Sequence, residues 1–506
     1  MKRFTDVIQR SESLTNRIFD SNNTYLSSID AAALVQTKET LLQQLDDIDH
    51  LPLSHVHALL QGTVAQLLRC EAALAPIRRL PQELLSLIFI HLKTLIDPFL
   101  MSEAAFFMGT IFLVCRWWRH VARDTPELWT RIDCLALAHP DSPLYRSPSY
   151  LGENPIFPSD FRLPVISKLL RMAKGLPLTI SHEPFPFFTL EVGDAALHAL
   201  MSDVLFHAYH WGSICLHGSG EMFAGIPAVE LPLLEKADVS LRGHDLANSL
   251  KFLSHATKLK HARLALSSQV AQSVEVLNHL LPAFPSLTSL HCTYDGPSHI
   301  PLGLFLSALR SCRGTLVHLD LQCNVIANNG TYEVVDMMAL RRMCLVSGAY
   351  TVMRVLRTSS LMGLSLVAPQ PVADDIVPTL FTFLSRPPAN NLQRLCLVRF
   401  PSCHKQFDVF MACLRKLASL AHLQITNMPE PQHGYILTRR LVRRLSRIED
   451  DPPLLPKLTS INFGYRNRGD IDGMRDAVDA LVRSRSRSQR VLPLRDVIVD
   501  IPGTQI

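Results

Sequence analysis

No two cysteines of this 506-residue chain are spaced as Cys-x-x-Cys, and their total of eleven is odd. The first absence argues against a zinc site, and the odd, scattered count argues against a disulfide framework. Cys215, Cys292 and Cys396, like most of the others, fall at apolar positions of periodic segments. There a reduced thiol packs as a small hydrophobe in an intracellular protein. Gly-x-Gly-x-x-Gly, Gly-x-x-x-x-Gly-Lys and Gly-x-Ser-x-Gly are all missing. Gly218-Ser219-Gly220 has no phosphate-binding context, and Cys403-His404 is adjacency in sequence, not a catalytic pairing in space. The 21 histidines lack ligand company: neither His55 and His57 nor His207 and His210 have a carboxylate or cysteine at metal spacing. An enzyme therefore has no motif behind it, and no metal or other cofactor is expected. No apolar run reaches a membrane span. The nearest, 99–115, is interrupted by Glu103 and falls short of the ~20 residues required. Residues 1–20 lack the apolar core of a signal sequence. Charge of one sign is also missing: 50 basic residues face 45 acidic ones, a formal +5, so wholesale nucleic-acid binding is not expected. The expected location is cytoplasmic, nuclear or both.

What the chain does have is apolar content, at 47%, and 33 prolines. That is a folded chain, long enough for about two to four domains or one long solenoid. The most informative stretch is 77–132. Pro81 suits the first turn of a helix, because its fixed φ is helical and its missing N–H would be unbonded there. Glu83 follows, near the positive end of the helix dipole. Leu84, Ile88 and Leu92 recur every four residues with Leu85 and Phe89 beside them, an amphipathic helix with a wide apolar stripe. A second helix is expected over about 112–123. Val114, one of Trp117 and Trp118, and Val121 would share one face, and Arg116, Arg119 and Arg123 another. Asp124-Thr125-Pro126 stops it.

Three segments together resemble the F-box, the short helical module that docks on the Skp-type adaptor of cullin–RING ubiquitin ligases. Leu80, Pro81, Glu83, Leu84, Leu85, Ile88, Phe89 and Leu92 carry the first part. Val114, Cys115, Arg116, Trp118, Arg119, Val121 and Ala122 carry the second, and Thr125, Pro126, Leu128 and Trp129 the third. The spacer between Leu92 and Leu113 is longer than in a compact F-box, as in F-box-like variants with an insertion there. The resemblance implies adaptor contacts at Leu80, Pro81, Leu84, Ile88, Leu92, Leu113, Val114 and Trp118. Phe99, Phe106 and Phe107 of the insertion would block docking if they folded over that face.

Around this module the chain divides into five parts. Residues 1–25 read as a polar, mobile N-terminus. Residues 26–75 form a helical hairpin, with Leu34, Leu41, Leu45 and Ile48 on one helix and Val56 to Leu74 on the next. The hairpin is either a brace packed on the module or a dimerisation surface. The module spans 76–133, with its insertion at about 93–111. Residues 134–164 hold six prolines among serines, a linker or irregular loop. Residues 165–500 follow a repeat.

The cleanest repeat copy is 316–324, Leu-x-x-Leu-x-Leu-x-x-Asn in full; others beginning at Leu287, Leu340, Leu361, Leu392 and Leu420 keep only the apolar frame. They start roughly 21 to 31 residues apart up to Leu420, near the ~20–29 of a leucine-rich repeat. The segment resembles the degenerate repeats of F-box substrate receptors. Each copy would lay a strand on the concave side of a stack, leucines inward and the intervening positions outward. Leu319, Leu321, Leu364, Leu395 and Leu423 should then be buried, and His318, Asp320, Gln322, Arg394 and Gln424 should face a protein substrate. Arg439, Arg440, Arg443, Arg444 and Arg447 read as the solvated face of a repeat helix. Arg483–Arg490 alternates Arg and Ser and is expected as an exposed loop, with a nuclear address, an RNA contact or a phosphorylation site as the functional readings behind it.

The expected fold class is α/β: an N-terminal helical hairpin and F-box-like helical module followed by a leucine-rich-repeat solenoid. Two functions fit. One is a substrate receptor of an SCF-type ligase, partnered by a Skp-type adaptor and through it a cullin. The other is an interaction scaffold whose F-box-like helices only cap the solenoid.

Overall fold

The computed structural model describes residues 2–20, 28–48, 53–75, 80–96, 106–134, 162–182, 204–244, 246, 248–270, 281–327, 332–368, 376–386, 391–399, 406–427, 436–447, 453–464 and 471–500. Phe99 and most of the Pro-rich stretch 134–164 lie outside them. The chain forms two compact units. One comprises 1–176 with 185–189, the other 177–184 with 190–506.

The first unit opens with three helices, not two: α1 (Lys2–Asp20), α2 (Ser28–Ile48) and α3 (Leu53–Leu74). This corrects the reading of 1–25 as a mobile polar tail. The buried stripe of α1 is half polar. Val7, Leu14 and Ile18 pack on a core of Leu34, Leu41, Cys70 and Ala73, but Ser11 and Thr15 lie between them, fully buried. Thr15 Oγ1 donates to the Ser11 carbonyl at 2.9 Å, and Ser11 Oγ meets Cys70 Sγ at 3.7 Å. Small hydroxyls satisfied this way pack without stranding a polar group. Burial raises the Cys70 thiol above its ordinary pKa. Arg17–Asp30 at 3.0 Å and Arg69–Glu12 at 3.8 Å tie α1 to its neighbours from outside.

Helix α4 (Gln82–Leu95) begins one residue after Pro81, which is its N-cap with φ −53° and ψ 149°. Leu85 and Phe89 face the core. The expected single helix over 112–123 is two pieces. A π turn (Phe107–Ile111) runs into Phe112–Val114, Cys115 is extended at φ −164°, and α5 (Arg116–Asp124) restarts after it. Cys115 Sγ caps the restart by accepting from the Trp118 N–H. The break shifts the helical phase, so Val114 is exposed and Val121 buried; they do not share a face. Helix α6 (Arg162–Ala173) completes the unit, grouping with the module and not with the segment 177–184 and 190–506 that holds the sheet.

The second unit is a parallel sheet whose strands lie side by side in chain order. They are β1 (Leu178–His182), β2 (Trp211–Ser219), β3 (Lys236–Gly243), β4 (His261–Ser268), β5 (Ser289–Asp295) and β6 (His318–Gln322). Next come β7 (Arg342–Val346), β8 (Gly363–Val367), β9 (Arg394–Val398), β10 (His422–Thr426), β11 (Ser460–Gly464) and β12 (Asp496–Asp500). Register aligns the apolar frame: Leu290, Leu319, Met343, Leu364, Leu395, Leu423 and Ile461 are Cα partners in turn. All are at most 2% exposed, as the spacing predicts for Leu319, Leu364, Leu395 and Leu423; Leu321 is likewise buried. Successive side chains of a strand alternate between faces, so one face fills the core and the other carries the variable residues. Helices α7 (Leu302–Ser311), α8 (Ile376–Ser385), α9 (Phe407–Arg415) and α10 (Arg439–Ser446) join strands and bury their apolar sides. Asn324 Oδ1 accepts from the Gly348 N–H at 3.2 Å, so the asparagine of the cleanest copy binds the turn of the following one.

The Arg-Ser stretch is not a loop. Helix α11 (Ile471–Arg487) contains most of it. Ser484 and Ser486 donate to carbonyls one turn back, and Arg485 is 1% exposed. Its guanidinium donates to the carbonyls of Leu455 at 2.8 Å, Leu458 at 3.3 Å and Leu492 at 3.4 Å. Ser486 remains exposed, but a phosphate there would meet the negative end of the helix dipole.

Candidate functional site

Two surfaces qualify, one in each unit. The first is on the helical module, whose interior is an aromatic cluster. Phe89 meets Trp118 edge-on at 5.3 Å and Phe107 at 6.3 Å, and Trp129 meets Phe107 at 6.1 Å and Phe112 at 5.6 Å. Trp129 is fully buried, and its Nε1–H donates to the Ala122 carbonyl at 2.8 Å. Thr125 Oγ1 donates to the Val121 carbonyl at 2.8 Å. Arg119 clamps the carbonyl freed at the Cys115 break, donating twice to Phe112 O at 3.0 and 2.7 Å. Phe107 and Ile111 of the insertion belong to this core, so the Phe107 side chain does not cover the exposed residues of α4.

With the interior filled from one side, α4 still has apolar residues to spare. Leu84, Leu87, Ile88, Leu95, Leu113 and Val114 are exposed by 44–67%. Of the expected adaptor contacts, Leu84, Ile88, Leu113 and Val114 are therefore open. Leu80, Pro81, Leu92 and Trp118 are half-buried, and Trp118 packs on Phe89. Leu87 and Leu95 were not foreseen. A helix with apolar residues at 84, 87, 88 and 95 beside 85 and 89 has two stripes, and one core satisfies only one of them. Scattered exposed leucines are ordinary; several on one small module make it a candidate contact surface.

The second surface is the variable face of the sheet. A depression of about 850 Å³ runs across β5–β10, and His318, Asp320 and Arg394 line it with Arg342, Gly363 and His422. Gln322 and Gln424 are on the same face, half-buried, outside that lining. His291 Nδ1 and Asp320 Oδ2 are 2.8 Å apart. Two thiols sit at the floor. Burial, then the Asp320 carboxylate, pushes Cys344 up to about 11, and burial also raises Cys396. Thiols held protonated are poor nucleophiles. Among the described residues no three His, Cys, Asp or Glu side chains gather as a metal site, and no helix is long and apolar enough to cross a membrane.

The F-box-like family matches residues 77–135, the segment whose geometry has just been described. No curated protein matches the chain. An F-box-like domain is in general a protein-interaction module for Skp-type adaptors.

Proposed function

We propose that the chain is a non-catalytic substrate receptor of an SCF-type cullin–RING ubiquitin ligase. The F-box-like module holds the Skp-type adaptor, and through it a cullin. The parallel sheet is a stack of degenerate leucine-rich repeats that holds the protein to be modified. Such a receptor performs no bond chemistry; it raises the effective concentration of substrate near the ubiquitin-loading machinery. It works in the cytoplasm or nucleus, where the ten described cysteines would remain the free thiols they are.

The observation that carries this reading is the surplus apolar stripe of α4 with Leu113 and Val114. Exposing that much leucine costs solubility unless a partner covers it, and four of its residues, Leu84, Ile88, Leu113 and Val114, are ones that the F-box resemblance assigns to the adaptor. The in-register frame of β5–β11 supports the repeat reading. Affinity purification of the full chain from its source cells tests the whole assignment. Adaptor and cullin should be recovered together. Recovery of neither would leave the module as an end cap of the repeats, a structure that solenoids require in any case.

A further inference from the structure

The first residues of successive strands form one row across the sheet: Lys236, His261, Ser289, His318, Arg342, Gly363, Arg394 and His422. From Lys236 to His422 the row contains no carboxylate. Of the acids beside it, Glu235 pairs with Lys260 at 2.8 Å and Asp238 with Arg263 at 3.9 Å, and Asp320 Oδ2 lies 2.8 Å from His291 Nδ1. Arg342 and Arg394 have no acidic partner among the described residues, and both are exposed. Gly363 stands between them. A Cβ there would meet only Arg342 Cγ at 3.8 Å, so the position is an open notch. Two strand spacings separate the arginines by about 10 Å at Cα, within reach of one shared anion for two such long side chains. Burial, then the nearby Arg342, His261 and Arg341, lowers the pKa of His318.

We propose that this notch is an anion clamp, in which Arg342 and Arg394 grip a carboxylate of an acidic segment of the protein substrate. The occupant's being a substrate rests on the receptor reading above; the clamp itself does not. Guanidinium–carboxylate pairs are short, charge-assisted and directional, and a clamp of two selects an acidic side chain over its amide. A polypeptide suits the row better than a nucleic acid. The row and the one beside it hold no Phe, Tyr or Trp, the platforms on which single-stranded bases stack. The half-open Met362 next to the notch offers instead an apolar contact to a side chain.

The test is fluorescence anisotropy on the full chain with a short labelled Glu-rich peptide, its Gln counterpart, a Gln peptide carrying one phosphoserine, and a mixed-sequence RNA. The Glu peptide should bind and the Gln peptide should not. Gly363→Glu places a carboxylate in the notch without touching the core, and should weaken the Glu peptide about tenfold or more. Gly363→Gln, of the same size, should leave binding intact; loss of binding there too would mean that bulk, not charge, is at work, and would overturn the clamp. Equal binding of the Gln peptide, no effect of Gly363→Glu, or binding of only the phosphopeptide or only the RNA would also overturn it. Adaptor binding measured on the same preparations separates the two failures. A chain that binds adaptor but no acidic peptide loses the clamp and keeps the receptor assignment; the reverse result does the opposite.

Discussion

Arg485 is the most exacting place to perturb the sheet unit. It is a buried cation with no carboxylate against it among the described residues, and its job is to gather three backbone carbonyls. One of them belongs to Leu455, whose φ of 51° is left-handed, so the turn it closes is already strained. Burial pulls the guanidinium down to about 10, still charged at neutral pH. Hydrogen bonds from a charged donor are worth about 1.5–3 kcal/mol each, and two of these three are long. Removing the side chain also relieves the cost of burying the charge. The net loss expected for Arg485→Met is about 2–4 kcal/mol. Arg485→Lys is the sharper variant, because it keeps charge and length but not the planar fork that reaches several acceptors. It should still lose about half as much. The assay is urea unfolding of the full chain, with Arg487→Ala as an exposed control from the same stretch. If the Arg485→Lys and Arg485→Met proteins both unfold within about 0.5 kcal/mol of wild type, the range of a neutral surface change, the carbonyl-gathering role is wrong.

Three further outcomes follow from the same structure. Leu319→Ala, at 2% exposure in the middle of the ladder, should cost about 2–5 kcal/mol by denaturant unfolding. Phe89→Ala should cost about 3–5 kcal/mol and abolish adaptor binding only by unfolding the module, whereas Leu84→Asp with Ile88→Asp should leave its thermal unfolding nearly unchanged. Burial, with His217 nearby, lowers His182 to about 4, so below its unfolded value of about 6.5 the unfolded chain takes up a proton that the folded chain refuses. Stability should therefore be unaffected above about pH 6.5, fall by about 3 kcal/mol as the pH drops to 4, and level off below; urea titrations of wild type and His182→Leu across that window would show the difference.

Where the sequence was legible, hydrophobic period did the work. The leucine frame of 316–324 aligned with its weaker copies because a strand of period two has only one way to bury them. Where it was not, the cause was a local exception to that period. The stripe of α1 is interrupted by Ser11 and Thr15, so it reads as polar although it is buried. Cys115 breaks the helix without a Gly or Pro to announce it. Arg485 reads as surface because arginine almost always is; only the three carbonyls brought to it explain its burial. At the sheet face, His318, Asp320 and Arg394 were legible from the clean copy and its neighbours. Arg342 and Gly363 were missed, although each stands two residues after the first leucine of its copy, as His318 does after Leu316 and Arg394 after Leu392. Reading that position down every copy would have found the row.

The central claim is that the surplus apolar face of α4 is an adaptor site. Calorimetric titration of a purified Skp-type adaptor into the full chain measures it directly. Wild type should bind at a stoichiometry of one, and Leu84→Asp with Ile88→Asp should abolish the heat while the protein still unfolds at the wild-type temperature. An absence of binding by folded wild-type protein, or undiminished binding by the folded double variant, would contradict the account.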